Sequence, residues 1–363
     1  MQLTEIIIKR IQKEGPISFR DFMEMSLYYP ELGYYTSASI HDKIGKNGDY
    51  YTSSSLTPIF GALIGRQLEQ MDNILNKDKF TIVEYGAGTG SLCRDILAYL
   101  KDNKKLYKKL NYCIIEKSPS LREKEKSHLA EKVSWFNSIY DIPKFTGCLL
   151  SNELVDNFSV HRVVMKDELM EVFVDYKNGF IELLKPASKE LVDYMAELKV
   201  ELPQGFCTEI NLQATEWIKE ISGVLKKGYV MTIDYGFPSY ELYSEYRRNG
   251  TLTCYNKHRI NNYPYRDIGK QDITSHVNFS ALYLWGLKHG LEGCGYTNQA
   301  NFLLALGFKD YLKKTMKLEN GGYNFKKEIF LTQMLLADMG SKFKVLIQQK
   351  EMPKQELLGL KTR

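Results

Sequence analysis

The chain of 363 residues lacks any long apolar run. No stretch approaches the roughly 18 consecutive apolar residues that a membrane-spanning helix needs, so no membrane span is predicted. The first ten residues mix charged and apolar side chains. They lack the apolar core and cleavage site of a secretory signal and the arginine- and serine-rich composition of a transit peptide. We therefore expect a cytoplasmic protein.

Paired cysteines are absent as well. No two of the six cysteines form a C-x-x-C motif, and several lie inside apolar runs, as buried free thiols do. This pattern indicates a reducing compartment. Cys254 and His258 have a spacing that metal ligands can have, but no second pair accompanies them, so no metal is predicted.

A strong charge bias is also missing. The chain has 49 basic and 44 acidic residues, a net charge of +5, and its basic residues are dispersed. The densest basic cluster, at 101–109, is predicted to be a solvated helix end, with nucleic-acid contact as the less favoured alternative. Neither internal repeats nor low-complexity segments occur. The composition, 44% hydrophobic and 26% charged, is typical of a globular protein.

The most informative stretch is a glycine-rich turn. An apolar run at 80–84 predicts a buried strand, glycines follow at 86, 88 and 90, and the apolar spacing of 91–100 predicts a helix. Such a unit brings bare backbone close to a nucleotide-like ligand. The third glycine follows the first by four positions, whereas the dinucleotide fingerprint requires five. A plain structural turn is the alternative.

Two acidic residues select the ligand. Glu84 ends the first strand, and Glu116 ends a second predicted strand at 111–116. A carboxylate beside the turn would repel a pyrophosphate but attract the cationic tail of S-adenosylmethionine, and an acid after the second strand suits ribose hydroxyls. The residues predicted to bind this cofactor are Glu84, Gly86, Ala87, Gly88, Gly90, Glu116, Asn152, Tyr51 and Thr52.

Strands alternate with helices through the middle of the chain, which predicts an α/β, Rossmann-like parallel sheet with helices on both faces. Strands are also expected at 132–136, 146–151 and 228–234, with a final strand at 328–333. The predicted organisation is a helical N-terminal region with a lid loop (1–78), a core (79–235 and 325–340) with an antiparallel insertion (about 160–206), an inserted aromatic-rich substrate or partner region (236–324) and a polar tail (341–363).

The end of the fourth strand distinguishes between acceptors. Enzymes that methylate amino groups of nucleic-acid bases usually carry an Asn/Asp-Pro-Pro-Tyr-like motif there, whereas this chain has Asn152 and Glu153. A carboxylate suits a guanidinium, so Glu153 is predicted to hold an arginine-like acceptor, with Asp156 or Asp272 as partner. As an alternative, Asn152 and Glu153 cap a helix or bind the methionine moiety. A fourth strand-end acid, Asp234, adds to a ring that favours cationic ligands.

His276 is a candidate for moving a proton near pH 7. A single histidine in a tyrosine-rich loop is more often structural, and that alternative stays open. The catalytic residues predicted from the sequence are Glu153, Asp272 and His276.

An ordered set of motifs over nearly the whole chain resembles the MidA-like proteins. They are 48–53 (GDYYTS), 83–90 (VEYGAGTG), 116–119 (EKSP), 151–153 (SNE), 233–236 (IDYG), 250–252 (GTL) and 271–274 (QDIT). The resemblance implies a class I S-adenosylmethionine-dependent methyltransferase fold and favours a lid at 48–53. It also implies that mitochondrial members assist assembly of respiratory complex I by symmetrically dimethylating an arginine of a core subunit. The bacterial members are less well defined.

We therefore expect a methyltransferase acting on a protein side chain. Arginine is the favoured acceptor because carboxylates bind a guanidinium, and a respiratory complex subunit is a candidate partner. The alternative from another class is an S-adenosylmethionine-binding assembly protein with little or no catalysis. An NAD-dependent oxidoreductase is disfavoured by the glycine spacing and by Glu84.

Overall fold

The computed structural model describes residues 2–38, 40, 52–129, 132–257, 259–318 and 325–361. The strands are β1 (Ile17–Ser18), β2 (Phe80–Tyr85), β3 (Leu110–Ile115), β4 (Val133–Phe136), β5 (Phe145–Asn152), β6 (His161–Met165), β7 (Leu169–Tyr176), β8 (Phe180–Pro186), β9 (Cys207–Ile210), β10 (Leu225–Phe237), β11 (Thr253–Asn256), β12 (Arg259–Asn261), β13 (Asp272–Thr274), β14 (Val277–Asn278), β15 (Glu292–Asn298) and β16 (Phe343–Lys350). The α-helices are α1 (Leu3–Glu14), α2 (Phe19–Tyr28), α3 (Ser53–Leu56), α4 (Pro58–Leu75), α5 (Ser91–Leu100), α6 (Lys104–Lys109), α7 (Pro119–His128), α8 (Lys189–Glu197), α9 (Leu212–Val224), α10 (Ser239–Leu242), α11 (Phe279–Lys288), α12 (Gln299–Ala305), α13 (Phe308–Leu318) and α14 (Phe325–Thr332).

A mixed sheet in the order β15-β16-β10-β5-β2-β3-β4 forms the centre of the fold, and β14 pairs with the end of β10. Strands β10, β5, β2, β3 and β4 run parallel, while β16 and β15 are antiparallel. All five parallel strands were expected from the sequence. Their carboxyl ends meet at one edge of the sheet, where the predicted site residues lie.

Helices cover both faces of this sheet because successive strand residues point to opposite sides. Ile82 packs into a core with α4 and α5, whereas its neighbour Val83 packs into a second core with α9 and α11. In β10, Met231 joins the first core and Val230 the second. Burial on both faces explains the continuous apolar runs of these strands.

A second, antiparallel sheet follows β5 in the chain. Strands β9, β6, β7 and β1 are ordered side by side, and β8 pairs with β7, which agrees with the expected antiparallel strands. Strand β1 comes from the N-terminal part, and α1 and α2 pack on this sheet through a separate core. The N-terminal segment is thereby fixed beside the carboxyl end of β5.

Two expectations near the C-terminus are wrong. Residues 328–333 belong mainly to a helix, because a short apolar run fits a buried helix as well as a strand. The segment from 341 is not only a polar tail, since β16 pairs with β10 over eight residues and its Val345 and Ile347 are fully buried. Gln348 and Gln349 made it look polar, yet both are buried.

The domain boundaries at 78, 235 and 324 remain a prediction, and most of the predicted lid at 48–53 lies outside the described residues. Among the helices that the structure describes, none has the length and apolar character required to cross a bilayer.

Candidate active site

A cavity of about 1080 Å³ opens at the carboxyl ends of the parallel strands. It is lined by the residues that follow β2, β3, β5 and β10 and by side chains from the N-terminal segment and from β13. This is the place where open α/β sheets bind their ligands, because the order of the strands reverses there and leaves a crevice. The volume suits a ligand of nucleoside size together with a second group.

The glycine turn forms one wall of the cavity. Gly86, Gly88 and Gly90 have φ angles of 73°, 58° and 74°, which favour glycine. A Cβ atom on Gly86 would lie 2.8 Å from Leu154 Cδ1, so Leu154 would have to move, and the positive φ would remain strained. Gly86, Ala87 and Gly88 line the cavity, whereas Gly90 precedes α5 and faces Leu129 of the loop after α7. Gly90 therefore shapes the turn from behind.

Two buried carboxyl groups face the same end of the cavity. Glu84 accepts a 2.7 Å hydrogen bond from the Tyr112 hydroxyl, and Glu116 accepts one of 2.7 Å from the Ser118 amide. Burial raises the pKa of both groups to about 7, although the Tyr112 bond lowers that of Glu84 and backbone amides lower that of Glu116. Neither forms an ion pair in the part of the chain that the structure describes. Both can therefore take a cation or hydroxyl donors.

Asn152 and Thr52 complete this wall. The Asn152 side chain donates to Glu153, but its buried Oδ1 has no hydrogen-bond partner among the described residues. Thr52 caps α3 through its side chain and lines the cavity. Tyr51, which was predicted beside it, lies outside the described residues. This unsatisfied acceptor at the cavity wall is therefore available to a donor on a ligand.

Further acidic groups line the cavity next to Asn152. Glu153 adopts a left-handed conformation with φ of 54°, and its carboxylate accepts a 3.2 Å bond from the Ser53 amide. Asp156 is buried, and its Oδ1 has no hydrogen-bond partner in the described ranges. Burial raises the pKa of Glu153 to about 8 and that of Asp156 to about 7. No described lysine or arginine forms an ion pair with either group.

Tyrosines surround these acids. The Tyr35 hydroxyl lies 2.9 Å from Asp272 Oδ1 and 2.7 Å from Asn157 Oδ1. Tyr28 stacks on Tyr35 with ring centroids 5.6 Å apart. Asp272 is itself buried and lines the cavity, as predicted from its sequence position. The sequence had shown an aromatic loop at these tyrosines but gave no sign of the partners they reach.

His276 lines the cavity between the rings of Tyr235 and Phe237. Burial, together with the nearby charges of Arg247 and Lys342, lowers its pKa to about 4. The side chain is therefore neutral at pH 7, which differs from the expectation that it titrates there. Its buried Nδ1 has no hydrogen-bond partner within the described chain.

Asp234 departs from the predicted ring of acids. It is fully buried and accepts hydrogen bonds from the amides of Leu154, Val155 and Asp156, at 3.1, 2.9 and 3.4 Å. It is not among the residues that line the cavity. Its carboxylate holds the turn after β5 in place, which in turn sets the position of Asp156.

Comparison with known proteins identifies the family. The family model Methyltransf_28, "Putative S-adenosyl-L-methionine-dependent methyltransferase", matches residues 63–297. The chain belongs to this family.

A solved relative has the same fold. It is a COG1565 superfamily protein of Burkholderia thailandensis bound to S-adenosyl-homocysteine, 29% identical, with a TM-score of 0.87 over 98% of this chain and 94% of that chain. Among curated proteins, the Caenorhabditis elegans protein arginine methyltransferase NDUFAF7 homolog, mitochondrial, is 27% identical over 94% of this chain and 85% of its own length. Human NDUFAF7 is 25% identical over 86% of this chain and 75% of its own length.

The fold is therefore that of class I methyltransferases, and S-adenosylmethionine is the cofactor of this family member. The cavity fits it on physical grounds. A turn of glycines with positive φ, the unsatisfied amide oxygen of Asn152 and the carboxyls of Glu84 and Glu116 suit a ligand rich in hydroxyl and ammonium donors. When bound, the cofactor supplies a methyl group on a positively charged sulfur.

Proposed function

We propose that this methyltransferase transfers the methyl group of S-adenosylmethionine to an arginine side chain of a partner protein. One observation carries the proposal. Glu153 and Asp156 line the cavity with raised pKa values, and neither is paired with a described cation. The curated relatives are named protein arginine methyltransferases, which supports the same acceptor.

The cofactor half is assigned to the glycine turn and the first two acids. Both acids line the cavity, and in this proposal Glu116 accepts the ribose hydroxyls while Glu84 contributes negative charge toward the cationic tail. Asn152 and Thr52 are assigned to the same half, with Gly86, Ala87 and Gly88 providing close backbone approach, while Tyr51, outside the described residues, stays a prediction from the sequence. Gly90 acts indirectly, because it shapes the turn and begins α5.

The acceptor half is assigned to Glu153, Asp156 and Asp272. A guanidinium offers five N–H donors in one plane, which carboxylates bind in pairs. Entry of this cation favours the ionised form of the acids that burial would otherwise keep protonated. In the reaction the acceptor nitrogen forms a bond to the methyl carbon, the carbon–sulfur bond breaks, and one proton leaves the nitrogen. A carboxylate of this group is the proton acceptor that we favour.

His276 has a different role in this proposal. Because its pKa is lowered to about 4, it stays neutral at pH 7 and accepts a hydrogen bond through Nδ1 rather than carrying the released proton. His276→Gln, which retains an acceptor oxygen, should therefore keep more activity than His276→Leu. Turnover of the two variants at pH 7 measures the difference.

The test uses S-adenosylmethionine with an isotope-labelled methyl group. Purified protein is incubated with protein extract from cells that lack it, and the labelled proteins are hydrolysed to amino acids. We expect label in methylarginine, with loss of at least tenfold in Glu153→Gln, since hydrogen bonds to charged groups contribute about 1.5–3 kcal/mol. S-adenosylhomocysteine should still bind this variant.

A matched control is Asp338→Asn, which removes an exposed carboxylate at the rim of the same cavity. Label in another amino acid would overturn the arginine assignment. Wild-type protein that binds S-adenosylhomocysteine but labels nothing would instead point to a binding or assembly role.

A further inference from the structure

Asn157 joins the two sides of the acceptor site, and it was not predicted from the sequence. Its Nδ2 donates to the main-chain oxygen of Glu153 at 3.2 Å, which directs its Oδ1 toward Tyr35. The Tyr35 hydroxyl lies within hydrogen-bond distance of both Asn157 Oδ1 and Asp272 Oδ1. A chain of contacts therefore runs from the main chain of Glu153, after β5, to Asp272, at the start of β13. Its centre is the Tyr35 hydroxyl, whose single proton is shared between the two Oδ1 acceptors.

The connection matters because the two carboxylates come from separate parts of the chain. Glu153 and Asp272 are more than 100 residues apart, and Tyr35 belongs to a third segment near the N-terminus. Asn157 is almost completely buried, and Asp272 is buried as well. Neither can readily turn toward solvent, so the bridge holds Asp272 relative to the main chain at Glu153. The Glu153 carboxylate is held in turn by the Ser53 amide and the Asn152 side chain.

A fixed spacing between two carboxylates allows the site to distinguish a guanidinium from an ammonium. A guanidinium is planar and holds its donors in a rigid fork, so it can meet two carboxylates at once if their positions match. An ammonium is a compact, strongly hydrated charge with three donors and gains less from such a match. Rigid placement of a binding pair favours the ligand whose geometry it fits.

We infer that Asn157 and Tyr35 are positioning residues for specificity: they hold Asp272 relative to Glu153 so that the site accepts a guanidinium in preference to an ammonium. The inference rests on the proposed function and adds the residues that select the acceptor. Neither residue need touch the transferred methyl group.

Tyr28 provides a matched control. Its hydroxyl donates to the main-chain oxygen of Asn157 at 3.0 Å, and its ring stacks on that of Tyr35. Tyr28→Phe and Tyr35→Phe thus each remove one hydroxyl that is bonded to Asn157. Tyr35→Phe in addition removes the hydroxyl that lies 2.9 Å from Asp272 Oδ1, which separates loss of positioning from a general loss of packing.

The experiment measures selectivity without turnover. N-acetyl-arginine amide and N-acetyl-lysine amide are titrated into protein saturated with S-adenosylhomocysteine, for wild type and for both variants. Wild type should bind the arginine probe at least about tenfold more tightly than the lysine probe. Tyr35→Phe should lose about tenfold in arginine affinity but stay within about twofold for lysine, whereas Tyr28→Phe keeps the wild-type ratio.

Melting curves and S-adenosylhomocysteine affinity show whether each variant is folded. Should Tyr35→Phe fail to fold, Asn157→Ala replaces it, because it removes Oδ1 and keeps the main-chain acceptor of Tyr28. The inference would be overturned if the two tyrosine variants had equal ratios of arginine to lysine affinity, or if wild type showed no preference for the arginine probe. Label in methylarginine together with equal ratios would refute only the inference, whereas no methylarginine and no arginine binding would refute the proposed function as well.

Discussion

Cofactor affinity should depend on pH through the two buried acids of the cofactor half. Burial raises the pKa of Glu84 and of Glu116 to about 7. If the cofactor binds the ionised carboxylates, its binding at lower pH requires Glu84 and Glu116 to lose their protons. The apparent dissociation constant is then larger by the inverse of the ionised fraction.

The size of the effect follows from that fraction. For one group with a pKa near 7, the dissociation constant rises about elevenfold at pH 6 and about 1.1-fold at pH 8. Two such groups together give a rise of about a hundredfold at pH 6, if they titrate independently. Affinity should therefore fall on acidification, which is the direction expected when the bound state holds fewer protons.

Calorimetric titration with S-adenosylhomocysteine at pH 6, 7 and 8, at constant ionic strength, measures this dependence. Glu116→Gln and Glu84→Gln should each bind more weakly at pH 8 and lose about tenfold of the pH effect. Asp338→Asn, an exposed acid of the same cavity, should behave as wild type. A wild-type constant that stays within about twofold from pH 6 to pH 8 would refute the reasoning, as would a Glu116→Gln variant with the full dependence.

Three further predictions concern the glycine turn and the stability of the folded protein. Gly86→Val should reduce S-adenosylhomocysteine affinity more than tenfold by calorimetry, because its φ is 73° and a Cβ there meets Leu154 at 2.8 Å. Ile347→Ala should lower the free energy of unfolding by about 2–5 kcal/mol in urea, whereas a residue in a polar tail would change it by less than about 0.5. Without cofactor, the free energy of unfolding should fall from pH 5 to pH 8, by up to about 3 kcal/mol for each of Glu84 and Glu116. The reason is that a group with a raised pKa in the folded state contributes stability that is lost as the pH rises through that pKa. A free energy of unfolding that rises over this range in denaturant titrations would contradict the prediction.

The cofactor half could be predicted from the sequence because its signals are local. Each parallel strand reads as an apolar run, and the residue that follows it lies at the same edge of the sheet as its counterparts. Glu84, Glu116 and Asn152 were therefore placed together by counting strands. Asp234 carried the same signal, but its carboxylate turns to three main-chain amides, a choice that depends on the turn after β5.

The acceptor half depends on contacts that no local pattern encodes. Tyr35 reaches Asn157 across 122 residues and Asp272 across 237 residues. The aromatic loop at 28–35 indicated burial or binding but not a partner. Strand β16 escaped prediction for a similar reason: its two glutamines are polar in sequence, and their burial follows from pairing with β10 and β15.

The acids of the cavity indicate how stability and function are divided in this fold. A buried carboxyl with a raised pKa makes the folded state less stable at neutral pH than an apolar group would, unless a cation or hydrogen-bond donor meets it. Asp234 accepts three main-chain hydrogen bonds, although burial still raises its pKa, whereas Asp156 retains one oxygen with no partner among the described residues. Two acids at one turn thus have opposite roles, since Asp234 holds the backbone and Asp156 remains available to a ligand. Burial of Asp156 lowers the free energy of unfolding, and binding of a cation at Asp156 raises it again. A cation that binds more tightly should therefore stabilise the folded protein more.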